Sequence, residues 1–135
     1  MPAMRFDIPS PDMETQPFWD GCREGKFLLR HCNACGRDHY YPRPFCPSCW
    51  GDDVSWKEAS GRGKLYTYSI VHVNDLPPFN ERVPYVAAIV ELDEGPRMMT
   101  RIVDCDAEAL DVGTRLRARF EPLDDDVTII VFAPA

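Results

Sequence analysis

The chain has 135 residues and a formal net charge of −7, with 44% hydrophobic and 27% charged residues. This size fits one ordinary domain, or two very small ones that share a core, and it excludes a large multidomain enzyme. The acidic balance disfavours nucleic acid and anionic membranes as main partners, because the protein's own field repels a polyanion. No run approaches the roughly 20 apolar residues of a membrane span, and the first residues lack an apolar signal core. We therefore expect a cytoplasmic protein that does not bind membranes.

The first predicted element is a short helix over residues 16–24. Thr15 precedes it as a candidate cap, and Gly25 ends it. Phe18 and Cys22 are four residues apart, so they share one face of this helix. Cys22 is accordingly predicted to be a small buried residue and not a metal ligand.

Two Cys-x-x-Cys pairs follow, in the segments HCNACGR and CPSCW. Each pair places two thiols on one side of a tight turn, so that two such turns supply the four corners of a tetrahedron. The four predicted zinc ligands are Cys32, Cys35, Cys46 and Cys49. Because four thiolates leave no open position on the metal, the zinc is predicted to be structural and not catalytic.

Other interpretations of these pairs are weaker. A redox dithiol normally comes as one pair at a helix start inside a βαβ unit, which this sequence lacks, and a disulfide is disfavoured in the cytoplasm. His31 and His39 lie nearby, but four cysteines already complete the coordination shell. Gly36 and Gly51 follow the two pairs and are predicted to let the backbone turn there.

The residues between the two pairs predict a small hairpin. The segment DHYYPRPF, residues 38–45, is predicted to be a strand that pairs with residues 27–31. Such a hairpin has too small a core to fold alone, whereas zinc-finger peptides gain roughly 10 to 16 kcal/mol from their metal at neutral pH. The predicted contribution of the zinc is therefore folding.

After residue 60 the pattern changes to β-branched and aromatic runs separated by turn residues. Five strands are predicted, over residues 65–73, 85–92, 98–103, 115–121 and 127–132. A short helical or turn segment over residues 107–110 separates the third strand from the fourth. This pattern favours a small closed barrel of the OB type, with a flat antiparallel sheet as the alternative.

The fourth predicted strand carries a row of arginines, Arg115, Arg117 and Arg119, which alternate with apolar residues. Two interpretations stay open: a solvated outer face, or contacts to the phosphates of an anionic ligand. The segment Gly61–Gly63 is not a dinucleotide-binding loop, because it precedes a strand instead of following one. Its glycines are predicted to allow a sharp entry into the barrel.

No catalytic residues are predicted. Residues 74–84 form the longest irregular stretch, where an exposed Phe79 would suit a partner or ligand surface, although ordinary loop structure is the simpler interpretation. His72 has no evident nucleophile to serve, and Cys105 lacks a nearby His or Lys to activate it. The sequence also contains no GxSxG, HExxH or phosphate-binding loop motif.

Four segments in order carry a family resemblance: PFWDGCREGKFLLRHCNACGRDHYYPRPFCPSC, SGRGKLYTYSIVH, PYVAAIVELDEGPRMMTRIV and DVGTRLRARFE. They resemble the acyl-CoA-associated zinc-ribbon and OB-fold family, long catalogued only as a domain of unknown function. The resemblance implies a mainly-β protein with a short N-terminal helix and a rubredoxin-like zinc ribbon, followed by a five-stranded OB-fold barrel. The expected divisions are a helical lead over residues 1–26, the zinc ribbon over 27–58 and the OB-fold domain over 59–135. The metal-binding cysteines of the family match the four cysteines named above.

The resemblance also implies a non-catalytic accessory or scaffold role. Family members look like partners of thiolase-like enzymes, aldolases or hydratases in the acyl-CoA metabolism of lipids or steroids, where they hold the enzyme or the CoA part of its thioester. The candidate contacts to CoA are Arg62, Lys64, Tyr66, Arg115, Arg117 and Arg119, with Tyr68 and Tyr85 on the barrel face. Two alternatives are a module that binds single-stranded nucleic acid, and a stand-alone enzyme or iron-bearing electron carrier that uses the same thiolates.

Overall fold

One helix and two β-sheets make up residues 5–135, the part of the chain that the computed structural model describes. The elements are α1 (Gln16–Arg23), β1 (Leu28–Cys32), β2 (Asp38–His39), β3 (Val54–Glu58), β4 (Arg62–Val71), β5 (Tyr85–Leu92), β6 (Arg97–Ile102), β7 (Arg115–Pro122) and β8 (Thr128–Pro134). Short 3-10 turns at Phe79–Glu81 and Ala107–Ala109 lie in two of the connections. A short helix, a cysteine-bearing ribbon and a five-stranded barrel confirm the predicted mainly-β fold class.

Helix α1 turns its apolar face inward and buries Phe18 and Cys22. Thr15 stands at the predicted cap position, but its hydroxyl bonds to Asp12 Oδ1 at 3.0 Å and does not cap the helix. Gly25 ends the helix in the left-handed region at φ +77°, where it donates its N–H to the carbonyl of Cys22 at 3.1 Å. In the described part of the chain, no helix combines the length and the apolar character needed to cross a bilayer.

The ribbon is a three-stranded antiparallel sheet in the order β2-β1-β3. The prediction of a strand over residues 38–45 is wrong in length, because β2 contains only Asp38 and His39. Pro42 and Pro44 lack the backbone N–H that would continue the ladder. The second half of that segment is therefore an irregular connection to the second cysteine pair.

Strand β3 pairs with the other edge of β1 and is absent from the sequence predictions. All five of its residues pair in register with the five residues of β1. Trp56 stands between the polar residues Ser55 and Lys57, the alternation expected of a half-buried strand. The Arg30 guanidinium of β1 lies 4.2 Å from the Trp56 ring centroid, so a cation–π contact joins the two strands.

The five remaining strands close into a barrel in the order β4-β5-β6-β8-β7, with β7 pairing back onto β4. All neighbours are antiparallel except β6 and β8, which are parallel and pair at one position, Ile102 opposite Phe132. This is the strand order of a closed five-stranded barrel, so the alternative of a flat antiparallel sheet is wrong.

Helix, ribbon and barrel share one apolar core. Phe27 immediately precedes β1, and its ring centroid lies 6.4 Å from that of Phe18 on α1 and 6.5 Å from that of Phe132 on β8. All three rings are at most 2% exposed and meet edge to face, the arrangement that aromatic quadrupoles favour. The ribbon is therefore anchored to both the helix and the barrel.

The entry into the barrel depends on two glycines. Gly61 has φ +76°, in the left-handed region that other residues rarely adopt. Gly63 packs against the neighbouring strand so closely that a β-carbon there would lie 2.6 Å from the carbonyl oxygen of Glu91. A side chain at Gly63 would therefore collide with the backbone of β5, whereas a side chain at Gly61 would be strained by the positive φ.

Candidate metal centre and ligand surfaces

The two Cys-x-x-Cys pairs meet at one end of the ribbon. The four sulfur atoms of Cys32, Cys35, Cys46 and Cys49 all lie within 4.8 Å of one another. The distance is 3.6 Å from the sulfur of Cys32 to that of Cys49, and also 3.6 Å from Cys35 to Cys46. A regular tetrahedron with Zn–S bonds of about 2.3 Å separates its sulfur atoms by about 3.8 Å. The four thiols therefore fit a zinc ion, and they fill every position of a tetrahedral shell.

Both pairs adopt the same local turn. The N–H of Gly36 donates to the carbonyl of Cys32 at 2.8 Å, and the N–H of Trp50 donates to the carbonyl of Cys46 at 2.8 Å. Gly36 and Trp50 occupy matching positions and both have positive φ, +79° and +65°. The second turn is thus made by Trp50 and not by the predicted Gly51.

Backbone amides in these turns point at the sulfur of the first cysteine of each pair. The N–H of Ser48 lies 3.4 Å from Cys46 Sγ, and the N–H of Cys35 lies 3.4 Å from Cys32 Sγ. Hydrogen bonds from Cys49 and Ser48 lower the pKa of the Cys46 thiol to about 6. The amide of Cys35 likewise lowers the pKa of Cys32. Each turn therefore favours the metal-binding thiolate form of its first cysteine, whereas the pKa values of the second cysteines, Cys35 and Cys49, are raised.

The remaining cysteines and the ribbon histidines lie outside the four-thiol cluster. Cys22 is buried in α1, and burial raises the pKa of its thiol to about 12. Burial also raises the pKa of Cys105, as expected of an unreactive thiol. His31 Nδ1 lies 2.6 Å from an oxygen of Asp38, whose second oxygen accepts from Lys57 at 2.8 Å. This polar contact joins all three strands of the ribbon.

The arginine row separates into two kinds of residue. Arg115 makes two hydrogen bonds of 3.0 Å to the carboxylate of Asp93, and Arg119 pairs with Asp104. The hydrogen bond from Arg115 lowers the pKa of Asp93. Both guanidiniums therefore form salt bridges with aspartates in turns of the same barrel.

Arg117 differs from its neighbours in the row. It stands opposite Arg62 in the β4–β7 register, and neither guanidinium lies within salt-bridge distance of a carboxylate among residues 5–135. The two residues line a cavity of about 250 Å³ where the ribbon meets the barrel, beside Ser60 and Phe27. These two arginines are the members of the predicted ligand set that remain available to an anion.

The other side chains that were predicted to contact CoA bind residues of the barrel itself. Lys64 lies 3.6 Å from Glu91, and the Arg97 guanidinium covers the Tyr66 ring at 3.9 Å from its centroid. The hydroxyl of Tyr68 donates to the carbonyl of Leu110 at 2.9 Å. These side chains contribute to the barrel wall.

Tyr85 and the predicted partner loop are also packed. The Tyr85 hydroxyl accepts a hydrogen bond from Asn74 at 3.0 Å, and the Phe79 ring lies 6.1 Å from the Tyr85 ring. Phe79 is half-buried, so the expectation of a freely exposed aromatic is wrong. The 3-10 turn that carries Phe79 brings the ring back onto β5.

Sequence reasoning misses an apolar cavity beside the helix. It has a volume of about 500 Å³ and lies between α1 and strands β5, β6 and β8. Its walls are mostly apolar, and they include Phe18, Trp19, Tyr85, Ala87, Met98 and Ile130. These residues come from separate parts of the chain, and only the Phe18–Trp19 pair on the helix gives a local sign of an apolar surface.

Two family models match the chain in succession. The model described as "ChsH2, rubredoxin-like zinc ribbon domain" covers residues 19–55, and "ChsH2, C-terminal OB-fold domain" covers residues 56–121. The zinc-ribbon match and the four clustered thiols together confirm the prediction of a structural zinc ion.

Two curated relatives match most of this chain. A "DUF35 domain-containing scaffold protein" of Methanocaldococcus jannaschii is 40% identical over 110 residues, which is 80% of this chain and 77% of that protein. A "Probable enoyl-CoA hydratase alpha subunit" of Thermomonospora curvata is 33% identical over 119 residues, or 87% of this chain. The match spans only 37% of the length of the hydratase subunit.

A solved structure covers nearly the whole fold. A chain of the "Ltp2-ChsH2(DUF35) aldolase" superposes with a TM-score of 0.83 and 29% sequence identity, covering 94% of this chain and 98% of that one. The order of ribbon and barrel and the identity to the archaeal scaffold protein confirm the family resemblance. This chain is a member of the DUF35 family of zinc-ribbon and OB-fold proteins, which includes ChsH2.

Proposed function

We propose that this chain is a non-catalytic accessory subunit that binds a hydratase-, aldolase- or thiolase-type enzyme of acyl-CoA metabolism. One observation carries the proposal: the fold superposes over almost its full length on a chain named as part of an aldolase assembly. The names of the two curated relatives, one a scaffold protein and one a hydratase alpha subunit, support the same role.

The chemistry of the candidate sites supports a non-catalytic role. Among residues 5–135, the four cysteines are the one group of side chains placed to hold a metal ion, and four thiolates leave no position for substrate. The polar side chains of the ribbon are engaged with one another, because His31 and Lys57 both bind the carboxylate of Asp38. The structural zinc thus stabilises the fold of the ribbon and takes no part in a reaction.

Co-purification tests the proposal directly. The tagged chain, expressed in its own organism, is expected to retrieve a hydratase, aldolase or thiolase subunit that mass spectrometry identifies, while the isolated chain turns over no acyl-CoA thioester. A lysate that lacks the tagged chain is the control. Retrieval of no acyl-CoA enzyme, or turnover of a thioester by the chain alone, would contradict the proposal.

The accessory role also includes a contact to CoA. We place the phosphates of CoA at Arg62 and Arg117, because both residues line the cavity between ribbon and barrel and neither guanidinium lies within salt-bridge distance of a carboxylate among the described residues. Glu58 is the acidic residue of the same lining. Guanidinium forks match phosphate oxygens in pairs. The rest of the arginine row is held by Asp93 and Asp104 and does not take part.

Neutralising one arginine at a time shows which of these residues contributes to CoA binding. Arg117→Gln is expected to weaken CoA binding about tenfold or more, since hydrogen bonds to charged groups are each worth about 1.5 to 3 kcal/mol. Arg119→Gln on the same strand is the matched control and should leave the affinity unchanged. Isothermal titration of the full chain with CoA measures both. An equal affinity for the two variants, or no binding by the unsubstituted chain, would refute this assignment.

We further propose a cytoplasmic protein that does not bind nucleic acid. OB barrels commonly hold single strands in a basic groove lined by aromatic residues. Here the net charge is −7, and two of the three arginines of the β7 row are paired with carboxylates. None of the six cysteines forms a disulfide, as expected of a protein in the reducing cytoplasm.

A further inference from the structure

The apolar cavity beside helix α1 has no part in the function proposed above. Its walls come from α1, from strands β5, β6 and β8, and from the 3-10 turn that carries Phe79. Its volume of about 500 Å³ lies within the range of roughly 300 to 1,000 Å³ that is typical of sites for small molecules. The cavity therefore has the size of a ligand site.

The cavity extends from the surface to buried walls. Trp19 and Met98 in its lining are only 6% and 4% exposed, whereas Met99 at the next position of β6 is 75% exposed. Methionine side chains are unbranched and flexible, so this pair on β6 adjusts readily to the shape of an occupant. A ligand thus enters from solvent beside Met99 and contacts the buried rings.

The charged side chains that line the cavity are paired within the described residues. The carboxylate of Asp7 accepts from Arg5 at 2.7 Å and lies 3.2 Å from Arg82. Arg101 forms a salt bridge with Glu121. A charged group on a ligand would lose its hydration here without gaining an unpaired partner. The lining accordingly favours an uncharged occupant.

The polar groups nearest to β6 and β8 are also unavailable. The Thr100 hydroxyl donates to the carbonyl of Ile130 at 3.0 Å, and this bond bridges the two strands, so a further strand has no free edge there. Two nitrogens in the lining lack a partner among the described residues, but they are buried within the wall and out of reach of an occupant: Trp19 Nε1 and Arg101 Nε. The apolar walls are what remains for recognition.

We propose that this cavity binds the uncharged hydrocarbon part of a small molecule, with an alkyl chain as its simplest form. Such a chain gains free energy with every methylene group that the walls remove from water. That the chain is the acyl part of a CoA thioester rests on the proposed function; the hydrocarbon site itself does not.

Titration of the full chain with hexanol, octanol and decanol tests the site, because these alcohols are uncharged and differ only in chain length. We expect saturable binding whose affinity rises about fourfold for each added methylene until the cavity is full. In NMR spectra the indole signal of Trp19, whose ring lines the cavity, should shift. The indole signal of Trp50, which is 74% exposed in the ribbon, should not. An affinity that does not depend on chain length, or an unshifted Trp19 signal at saturation, would overturn the proposal.

Filling the cavity supplies the second arm of the test. Ala87 lines the cavity from β5, so Ala87→Trp should weaken decanol binding about tenfold or more, the equivalent of about two buried methylenes. Ala109→Trp, in an exposed turn, is the matched control and should leave the affinity unchanged. If Ala87→Trp does not fold, Ala87→Leu occupies less volume and should remove the advantage of decanol over octanol. A folded Ala87 variant that binds all three alcohols as the unsubstituted chain does would refute the site.

Decanoyl-CoA identifies the source of the hydrocarbon. If the cavity holds the acyl part of a thioester, decanoyl-CoA should bind more tightly than CoA, and Ala87→Trp should abolish this difference. Equal binding of decanoyl-CoA and CoA, with decanol still bound, would support the hydrocarbon site and assign it to a free lipid.

Failure of this proposal is distinguishable from failure of the proposed function. Retrieval of an acyl-CoA enzyme by a chain that binds no alcohol would leave the accessory role standing and overturn the hydrocarbon site. If, in addition, Ala87→Trp loses that enzyme, a segment of the partner fills the cavity instead. Alcohol binding of the expected kind, without any acyl-CoA enzyme in the co-purification, would support the site and contradict the accessory role.

Discussion

Cys46→Ser is expected to abolish zinc binding and unfold the ribbon. A hydroxyl replaces the thiolate whose pKa the turn amides lower, and three thiolates cannot close the tetrahedron. Apparent zinc-binding energies of about 10 to 16 kcal/mol in zinc-finger peptides exceed what a three-stranded sheet with a two-residue edge strand can supply. Elemental analysis should fall from one zinc per chain to none, and NMR spectra should lose the dispersed amide signals of the ribbon strands β1 and β3.

The matched control is Cys105→Ser, which alters a thiol outside the four-sulfur cluster. It should keep one zinc per chain and the dispersed spectrum. Chelation of the unsubstituted protein should reproduce the effect of Cys46→Ser. A Cys46→Ser protein that retains one zinc, or a ribbon that stays folded after complete removal of the metal, would contradict a structural zinc site.

Phe132→Ala is expected to cost about 3 to 5 kcal/mol of unfolding free energy, the range for truncating a buried aromatic. The Phe132 side chain is fully buried in β8 and contacts Phe27, so the cavity left behind borders both the barrel and the ribbon. Urea unfolding followed by the fluorescence of Trp19 and Trp56, with zinc held in excess, measures the change.

Val73→Ala is the control for this measurement, because Val73 is 77% exposed and its truncation should change stability by less than about 0.5 kcal/mol. If Phe132→Ala does not fold, Phe132→Leu keeps most of the volume and should give a smaller loss of the same sign. A loss below about 1 kcal/mol for Phe132→Ala would mean that this ring does not hold the shared core together.

The sequence was sufficient for features that a short stretch of chain determines. Each Cys-x-x-Cys pair determines its turn locally. A half-buried strand is recognised in the sequence because apolar and polar residues alternate along it. Strand β3 was not predicted from the sequence, because it is short and charged at its end. Its pairing depends on a free edge of β1 that only the folded ribbon provides. Pro42 and Pro44, by contrast, were visible signs that β2 had to be short.

The ligand surfaces depend on contacts that no local pattern reveals. Arg115, Arg117 and Arg119 are equivalent in the sequence, and they become different only because barrel closure brings Asp93 and Asp104 to two of them. The apolar cavity is likewise assembled from the helix and three strands. Residues that act through partners distant in the chain can be recognised only after the fold has placed them.

The bridging position of Phe27 has a consequence for genetics. Because one ring contacts the interiors of helix, ribbon and barrel at once, we expect damage in any of the three to destabilise the other two. A screen for mutants that lose binding to the proposed partner enzyme should therefore recover substitutions of the cysteines and of the barrel interior as a single phenotypic class. Only substitutions on exposed surface would separate recognition from folding.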